Sequence, residues 1–382
     1  MRALPNEFKP NSALTQTTRW PDLYGSAEGF GIARLADRLK KPLVVVANNS
    51  RRMKLLQEEI SFFIKDHSTA PLLSLLDWEC LPYDVVSPQP EIISERLRTL
   101  AQIPHLEQGI LLSTVPALMQ RLPPSEYISG HSFFLDAGQI IDPENLRKRL
   151  QQAGYLAVSQ VLCQGEYAIR GGVIDIYPMG SNYPFRLDLF GNHLESIRLF
   201  DPDSQRSSAT RDSIELLPGR EYPIDSSAIN QFRTNFRRQF EGDPQNHLVY
   251  REISKGNLPT ALDYFWPLFF SQTNTLFEHL PSNATWILDK DFRESLDKYW
   301  AAINDRHKLA CLVPERLPLP PEKLYAESSE IIQRVASKIK IFLGAKAHDK
   351  LERHLPGTYW VEPKNSEPYH SITTHLQHTR YS

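Results

Sequence analysis

The chain is poor in cysteine, in glycine and in any excess of charge. Its three cysteines, Cys80, Cys163 and Cys311, lie far apart, with no CxxC pair. A disulfide scaffold and a cysteine-built zinc site are therefore not expected, and the usage suits a reducing, cytoplasmic compartment. Glycines number 17 against 29 prolines, so rigid turns should be common. No basic excess exists: 43 Lys and Arg against 45 Asp and Glu leave a net charge of −2. A chain built to coat nucleic acid is usually clearly basic, so a strong whole-surface grip on DNA is disfavoured. The longest clean apolar run, residues 43–47, falls far short of the ~20 residues of a membrane helix. Residues 1–10 lack the basic start and apolar stretch of a signal peptide. With 41% hydrophobic and 23% charged residues, long disorder is not expected. At roughly 150 residues per domain the length allows two or three domains.

The pattern along the chain changes twice. Up to residue 121, helical spacing over 27–40, 51–65 and 94–102 alternates with apolar β-branched runs at 42–47, 72–76 and 109–114. Asn48, Asn49 and Ser50 supply a cap for the second of these helices. Strands that read as continuous apolar runs are covered on both faces, which predicts a parallel α/β sheet. From 122 to 217 one helix (143–153) is followed by strand-length segments at 161–164, 166–170, 173–178, 185–190 and 194–200. Gly191-Asn192 is a two-residue hairpin signal. This is an antiparallel α+β module. From 218 to 345 the α/β pattern returns, with a helix at 226–240 whose Phe232, Phe236 and Phe240 form a core stripe. A buried strand at 285–288 and a helix at 291–306 follow, and 346–382 looks like a linker or tail. The fold class expected is an α/β parallel-sheet domain interrupted by an inserted α+β module.

Domains of this class often bind nucleotides at the carboxyl ends of their strands. A phosphate loop needs glycines, then Lys-Ser/Thr. Gly25, Gly29 and Gly31 are present, but no Lys-Ser/Thr follows, and Glu28 puts a negative charge where phosphate would sit. The strand expected to end in a metal-holding acidic pair ends in Asp289, and Lys290 stands where the second carboxylate is needed. ATP hydrolysis by this chain is therefore not expected, and no cofactor is implied. His370, His375 and His378 are read as exposed tail residues, and Cys80 as a structural thiol.

The middle module is more informative. Alternation over 183–190 puts Tyr183, Phe185, Leu187 and Leu189 on one face, and Arg186, Asp188 and Phe190 on the other. With a two-residue turn, Phe190 pairs with His193 and Asp188 with Glu195. Two opposed carboxylates need a cation, for which Arg170 and Arg186 are the candidates. Arginine and a large aromatic on a sheet face match the composition of protein-interface hot spots. An ordinary solvated face is the alternative at this stage.

Four segments carry a resemblance: GEYAIRGGVIDIYP (165–178), RLDLF (186–190), ESIRLFD (195–201) and SQRS (204–207). Together they resemble the module shared by the bacterial transcription-repair coupling factors and the excinuclease B subunit. The flanks DWECLPYD (77–84), SPQP (87–90), EIISERL (91–97), SKGNLP (254–259) and YFWPLFF (264–270) are similar to the coupling factors. The intact phosphate loop of the excinuclease B subunit is missing, and only 84–90 lies where its DNA-gripping hairpin would be. The resemblance implies a RecA-like domain with a degenerate P-loop and an inserted module that docks the excinuclease A subunit (UvrA). It implies Arg170, Arg186 and Phe190 as contact residues, with Asp188 and Glu195 beside them. In a full-length parent it also implies RNA polymerase and double-stranded DNA as partners, through motor regions that lie beyond this one. The rival reading is an ATP-dependent DNA-remodelling or damage-binding protein like the excinuclease B subunit.

Overall fold

The computed structural model describes residues 17–345, apart from 22, 24, 65–69, 261 and 314–316. The expected tail at 346–382, with His370, His375 and His378, lies outside the described residues. Strand β1 (Thr17–Pro21) is followed by the helix Ala27–Leu39, β2 (Pro42–Ala47), the helix Ser50–Ile64 and β3 (Leu72–Leu75). The helix Pro90–Gln102 then leads to β4 (Gly109–Thr114) and two short helices, Val115–Met119 and Ser125–His131. The middle section holds β5 (Phe133–Asp136), the helix Pro143–Gln152, β6 (Leu156–Ala157), β7 (Glu166–Arg170) and β8 (Val173–Ile176). It continues with β9 (Phe185–Phe190), β10 (His193–Phe200), β11 (Ser207–Arg211) and β12 (Ser213–Leu216). Beyond it come the helix Ser226–Gln239, β13 (Thr285–Asp289), the helix Phe292–Cys311, the helix Ser328–Ala336 and β14 (Lys340–Ala345).

Strands from both ends of the chain share one sheet, ordered β1-β14-β13-β2-β4-β3 and parallel throughout. Every residue of β2, β4 and β13 is buried, as expected for strands covered on both faces. Alternation divides β2 between two cores. Leu43, Val45 and Ala47 meet Ile32, Leu35, Met53, Leu56 and Ile60 of the first two helices. Val44 and Val46 face the opposite way, into the larger core.

A second sheet, β11-β10-β9-β8-β7-β6, is antiparallel except for its β6–β7 pair, and β5 and β12 form a separate two-stranded ribbon. Its inner face carries Tyr167, Ile174, Ile176, Phe185, Leu187, Leu194 and Ile197, which belong to the same continuous core as Val44 and Val46 of the parallel sheet. The two sheets are thus welded rather than tethered. The weld has a polar centre. Arg96, fully buried, places Nε 2.8 Å from Glu221 Oε1, while Nη1 donates to Gln120 Oε1 at 2.9 Å and to the Leu76 carbonyl. Trp78 Nε1 donates to the other oxygen of Glu221 at 3.0 Å.

One local expectation is corrected. Residues 161–164 are not a strand: the Leu162 and Cys163 amides donate to the Glu166 carboxylate at 2.7 and 2.9 Å, which folds the segment into a turn and leaves pairing with β7 to β6. The Asn48–Ser50 cap is Asn49, whose Oδ1 accepts from the Arg52 amide. The edge strand β1 and its neighbour β14, which lies between β1 and β13, had not been expected. Among the described residues no helix is long and apolar enough to cross a membrane.

Breaking the buried pair strands a charge, which typically costs ~3–5 kcal/mol. Glu221→Ala should lose about that much unfolding free energy in urea. A loss below ~1 kcal/mol would show that the pair does not hold the sheets together.

Candidate protein-docking face

The outer face of the mixed sheet is built by register. β9 lies between β8 and β10, with Arg186 opposite both Asp175 and Arg198, and Asp188 opposite both Val173 and Ser196. Directly opposed residues share a face. Arg170, Asp175, Arg186, Asp188, Phe190 and Arg198 are therefore gathered on one surface. Below them a small apolar cluster of Val161, Ala168 and Phe200 closes the sheet.

Asp175 is the residue that sequence reading missed. It is 1% exposed, and its carboxylate accepts Nε and Nη2 of Arg186 at 2.7 and 3.0 Å and Nη2 of Arg170 at 2.6 Å. Arg186 also donates through Nη1 to the Gln205 carbonyl at 3.1 Å and stacks its guanidinium over Phe200. Its pKa is raised, first by the hydrogen bond to Asp175, with burial opposing and the charges of Asp175 and Asp188 assisting. The signal was available: Asp175 stands among Val173, Ile174 and Ile176, and an acid inside an apolar strand needs a partner.

The expected opposition of Asp188 and Glu195 does not occur. The hairpin turn is Gly191-Asn192, and Phe190 does pair with His193, but the register shifts between Leu194 and Ser196. Glu195 is the extra residue of a bulge and is exposed, and Ser196 takes its place opposite Asp188. The bulge separates two carboxylates that straight pairing would have forced together. Asp188 accepts instead from Ser196 Oγ at 2.6 Å and Arg198 Nε at 2.8 Å. So Arg170 and Arg186 neutralise Asp175, and the cation at Asp188 is Arg198. The turn itself has a positive φ at Gly191 (+61°) and none at Asn192, the arrangement of a II′ hairpin.

Phe185 and Leu187 are buried and Leu189 half-buried, as alternation required, whereas Tyr183 lies outside the strand and is 60% exposed. Phe190 is 78% exposed. Beside it the chain adds a further exposed apolar side chain. Ile140 is bridged to His193, held by the Ile141 amide on the Asn192 carbonyl (2.6 Å) and the Leu194 amide on the Gln139 carbonyl (2.9 Å).

The second candidate region lies at the carboxyl ends of the parallel strands. Here a shallow cleft of about 300 Å³ is lined by Glu28, Asn48, Arg52, Asp289 and their neighbours. Gly25 precedes the helix Ala27–Leu39, but Gly29 and Gly31 lie inside it, so the three do not form a loop. Their task is close packing: a Cβ at Gly29 would stand 2.4 Å from Glu59 Cβ, and one at Gly31 would stand 3.0 Å from the Trp20 ring. Arg52 is ion-paired to Glu28 and lies 3.7 Å from Asp289 Oδ1. Burial works against its charge, yet the hydrogen bond and charge of Glu28, then Asp289 and Glu59, raise its pKa. Burial pushes the Asp289 carboxyl up, while Arg52 and the Asn48 amide (3.1 Å) pull it back. Among the described residues no group of His, Cys, Asp and Glu side chains is gathered to hold a metal ion.

The fold is an α/β frame that carries a mixed-sheet module with an exposed aromatic on its outer face. Residues 133–222 match the family described as UvrB interaction domain. Over 315 residues, 82% of its length, the chain is 38% identical to the Transcription-repair-coupling factor of Escherichia coli (strain K12), of which the match is 27%. It is 34% identical over 361 residues to that of Haemophilus influenzae, covering 92% of this chain and 31% of the relative. With that of Bacillus subtilis (strain 168) it shares 28% identity over 282 residues, 70% of this chain and 24% of the relative. The chain therefore spans less than a third of the length of these curated relatives. The chain is thus similar to a part of the transcription-repair-coupling factors.

A raised carboxyl pKa in the fold means that the native state keeps its proton to higher pH than the unfolded chain does. For Asp289, stability therefore falls as pH rises through the window above the unfolded value, and at pH 7 the ionised group is a net burden. Asp289→Asn should melt at or above the wild-type temperature at pH 7 and flatten the pH dependence just above the ordinary carboxylate range. A variant that melts clearly lower would show that its charge is needed there.

Proposed function

We propose that this chain recruits the excinuclease A subunit (UvrA) to sites of transcription-coupled nucleotide-excision repair, through the outer face of its mixed sheet. The observation that carries the reading is Phe190. It is a large aromatic, 78% exposed, on the same strand face as two arginines fixed by a buried acid, inside the stretch that matches the UvrB interaction domain. Aromatic and arginine side chains dominate interface hot spots. In this reading Phe190 is the apolar anchor, and Arg170 and Arg186 meet acidic partner groups. Asp188 and Glu195 form the acidic margin.

The chain is divided, in the same proposal, into a first half of a RecA-like domain (1–121), the docking module (122–217), the second half (218–345) and a linker (346–382). The nucleotide site of that domain is degenerate. The glycines Gly29 and Gly31 are spent on helix packing, and Arg52 sits between Glu28 and Asp289 in the cleft at the strand ends. This segment then does no catalysis. ATP-driven movement on double-stranded DNA and contact with RNA polymerase belong to a longer parent protein.

Titration against purified excinuclease A subunit tests the reading. The wild-type chain should bind. An Arg186→Ala/Phe190→Ala variant should bind at least ~30-fold more weakly, the effect of losing one strong hot spot. The melting curve of the double variant is the control for folding, because losing Arg186 leaves the buried Asp175 with Arg170 alone, and Phe190→Ala by itself, at an exposed position, should change stability by no more than about 0.5 kcal/mol. Absence of wild-type binding, or an unaffected double variant, would overturn the docking reading.

The degenerate site is tested separately. Millimolar MgATP should leave the melting temperature unchanged, whereas a ligand at ~100 times its Kd would add about 2.7 kcal/mol of stability. A clear upward shift would restore the ATPase reading.

A further inference from the structure

We infer that Asp175 is a positioning residue of the docking face: beneath the surface, it holds Arg170 and Arg186 in the poses in which they meet the partner. The inference rests on the docking reading above and adds the element that makes the face rigid before contact.

The geometry is specific. β8 runs between β7 and β9, and Asp175 is opposite Ala168 on one side and Arg186 on the other. Its two oxygens take the Nε/Nη2 edge of Arg186 as a fork, and Oδ2 also takes Nη2 of Arg170. A guanidinium has five N–H groups. Arg186 directs Nε–H and one N–H from Nη2 at Asp175, and one from Nη1 at the Gln205 carbonyl. One N–H on each terminal nitrogen is left over for a partner. Arg170 is held by a single contact, and its side chain is 53% exposed. The other carboxylate on this face, Asp188, is engaged by Ser196 and Arg198, so the two anchors do not compete for the same arginines.

Stability alone does not call for this arrangement. A buried ion pair is often no better for folding than apolar residues of similar volume. What the buried carboxylate does supply is preorganisation. A free arginine loses rotamer freedom when it binds, and one already locked in a fork does not. Two arginines over one acid also leave a local surplus of one positive charge, carried outward by the half-exposed Arg170, which fits an acidic group on the partner.

The test is Asp175→Asn, which keeps the size and one acceptor while removing the charge. Affinity for purified excinuclease A subunit should fall about tenfold or more, measured well below the melting temperature of each variant. Two readouts separate positioning from a merely structural role. The Nε–H signal of Arg186 in a ¹H–¹⁵N spectrum should move or broaden in the variant while the signals of the core amides stay in place. In an Arg170→Ala/Arg186→Ala background the same substitution should cost less than about threefold, because groups acting as a unit are not additive. Asp175→Ser is the second variant if the first does not fold. Wild-type affinity in Asp175→Asn, or a loss undiminished without the arginines, would overturn the inference and leave the docking reading standing. Failure of the wild-type chain to bind would overturn both.

Discussion

The ion pair between Arg96 and Glu221 is the interaction on which the arrangement of the two sheets depends. It joins four stretches of chain that are distant in sequence: the end of β3 through Leu76 and Trp78, the helix Pro90–Gln102, the exit toward the mixed sheet at Gln120, and the return from it at Glu221. With both charges out of water, the pair adds little to stability compared with apolar packing, but any other docking angle would leave a buried charge unpaired. The apolar core around it supplies the bulk of the burial and tolerates sliding, and the polar centre does not. Backbone pairs close by act in the same direction. Leu122 and Asn274 exchange both amide–carbonyl bonds at 2.8 Å, and Tyr155, buried, gives its hydroxyl to the Leu217 carbonyl while accepting from the Met179 amide. The outer face of the mixed sheet is thereby fixed relative to the rest of the chain.

Because β-strand side chains alternate, a single sheet can serve two purposes without compromise. The inner face of β7–β10 is apolar and shares its core with the parallel sheet. The outer face cannot be wholly polar, since it must still close over Val161, Ala168 and Phe200. Arginine suits that boundary: its stem and planar head can lie on a ring while its N–H groups reach charge. Arg186 does both, over Phe200 and against Asp175. The bulge at Glu195 then settles the remaining conflict on this face by letting Ser196 and Arg198, rather than a second acid, meet Asp188.

What was legible in the sequence follows from which patterns carry information. The runs at 42–47 and 109–114 could be placed to the residue because full burial on both faces demands unbroken apolar composition. The strands β1 and β14 were not visible. Of the two, β1 (TTRWP) is an edge that pairs on one side only, and it has a single buried residue, Trp20. Residues 161–164 read as a strand because Val161 and Leu162 are apolar, but the competing pull of the Glu166 carboxylate on two amides is a tertiary decision that composition does not record. On the candidate face, alternation assigned Arg186, Asp188 and Phe190 correctly to one side. Phe190 pairs with His193 as expected, but the partner of Asp188 was misassigned, since one inserted residue at Glu195 changes every opposition beyond it. A bulge without glycine leaves no mark in the sequence.

The strand-end cleft shows the same economy of charge. Glu28 and Asp289 are both largely withdrawn from water, at 11% side-chain exposure each, and they sit on either side of one guanidinium. A pair of unit charges 4 Å apart interacts by about 4 kcal/mol at an effective dielectric of 20. One cation between two carboxylates is therefore strongly held, and Arg52 keeps its charge despite burial. An incoming phosphate would be repelled by both acids and would have to take Arg52 away from them. Lys290 stands at the rim of the same cleft, but one more cation there cannot reverse a balance set by two buried acids at closer range. The glycines that a phosphate would need for backbone approach are already consumed: Gly29 lets Glu59 come within touching distance, and Glu59 in turn accepts from the Gly29 backbone. Side chains of the fold itself thus line the cleft at the strand ends from both directions and hold one another there, Glu28 and Asp289 about Arg52.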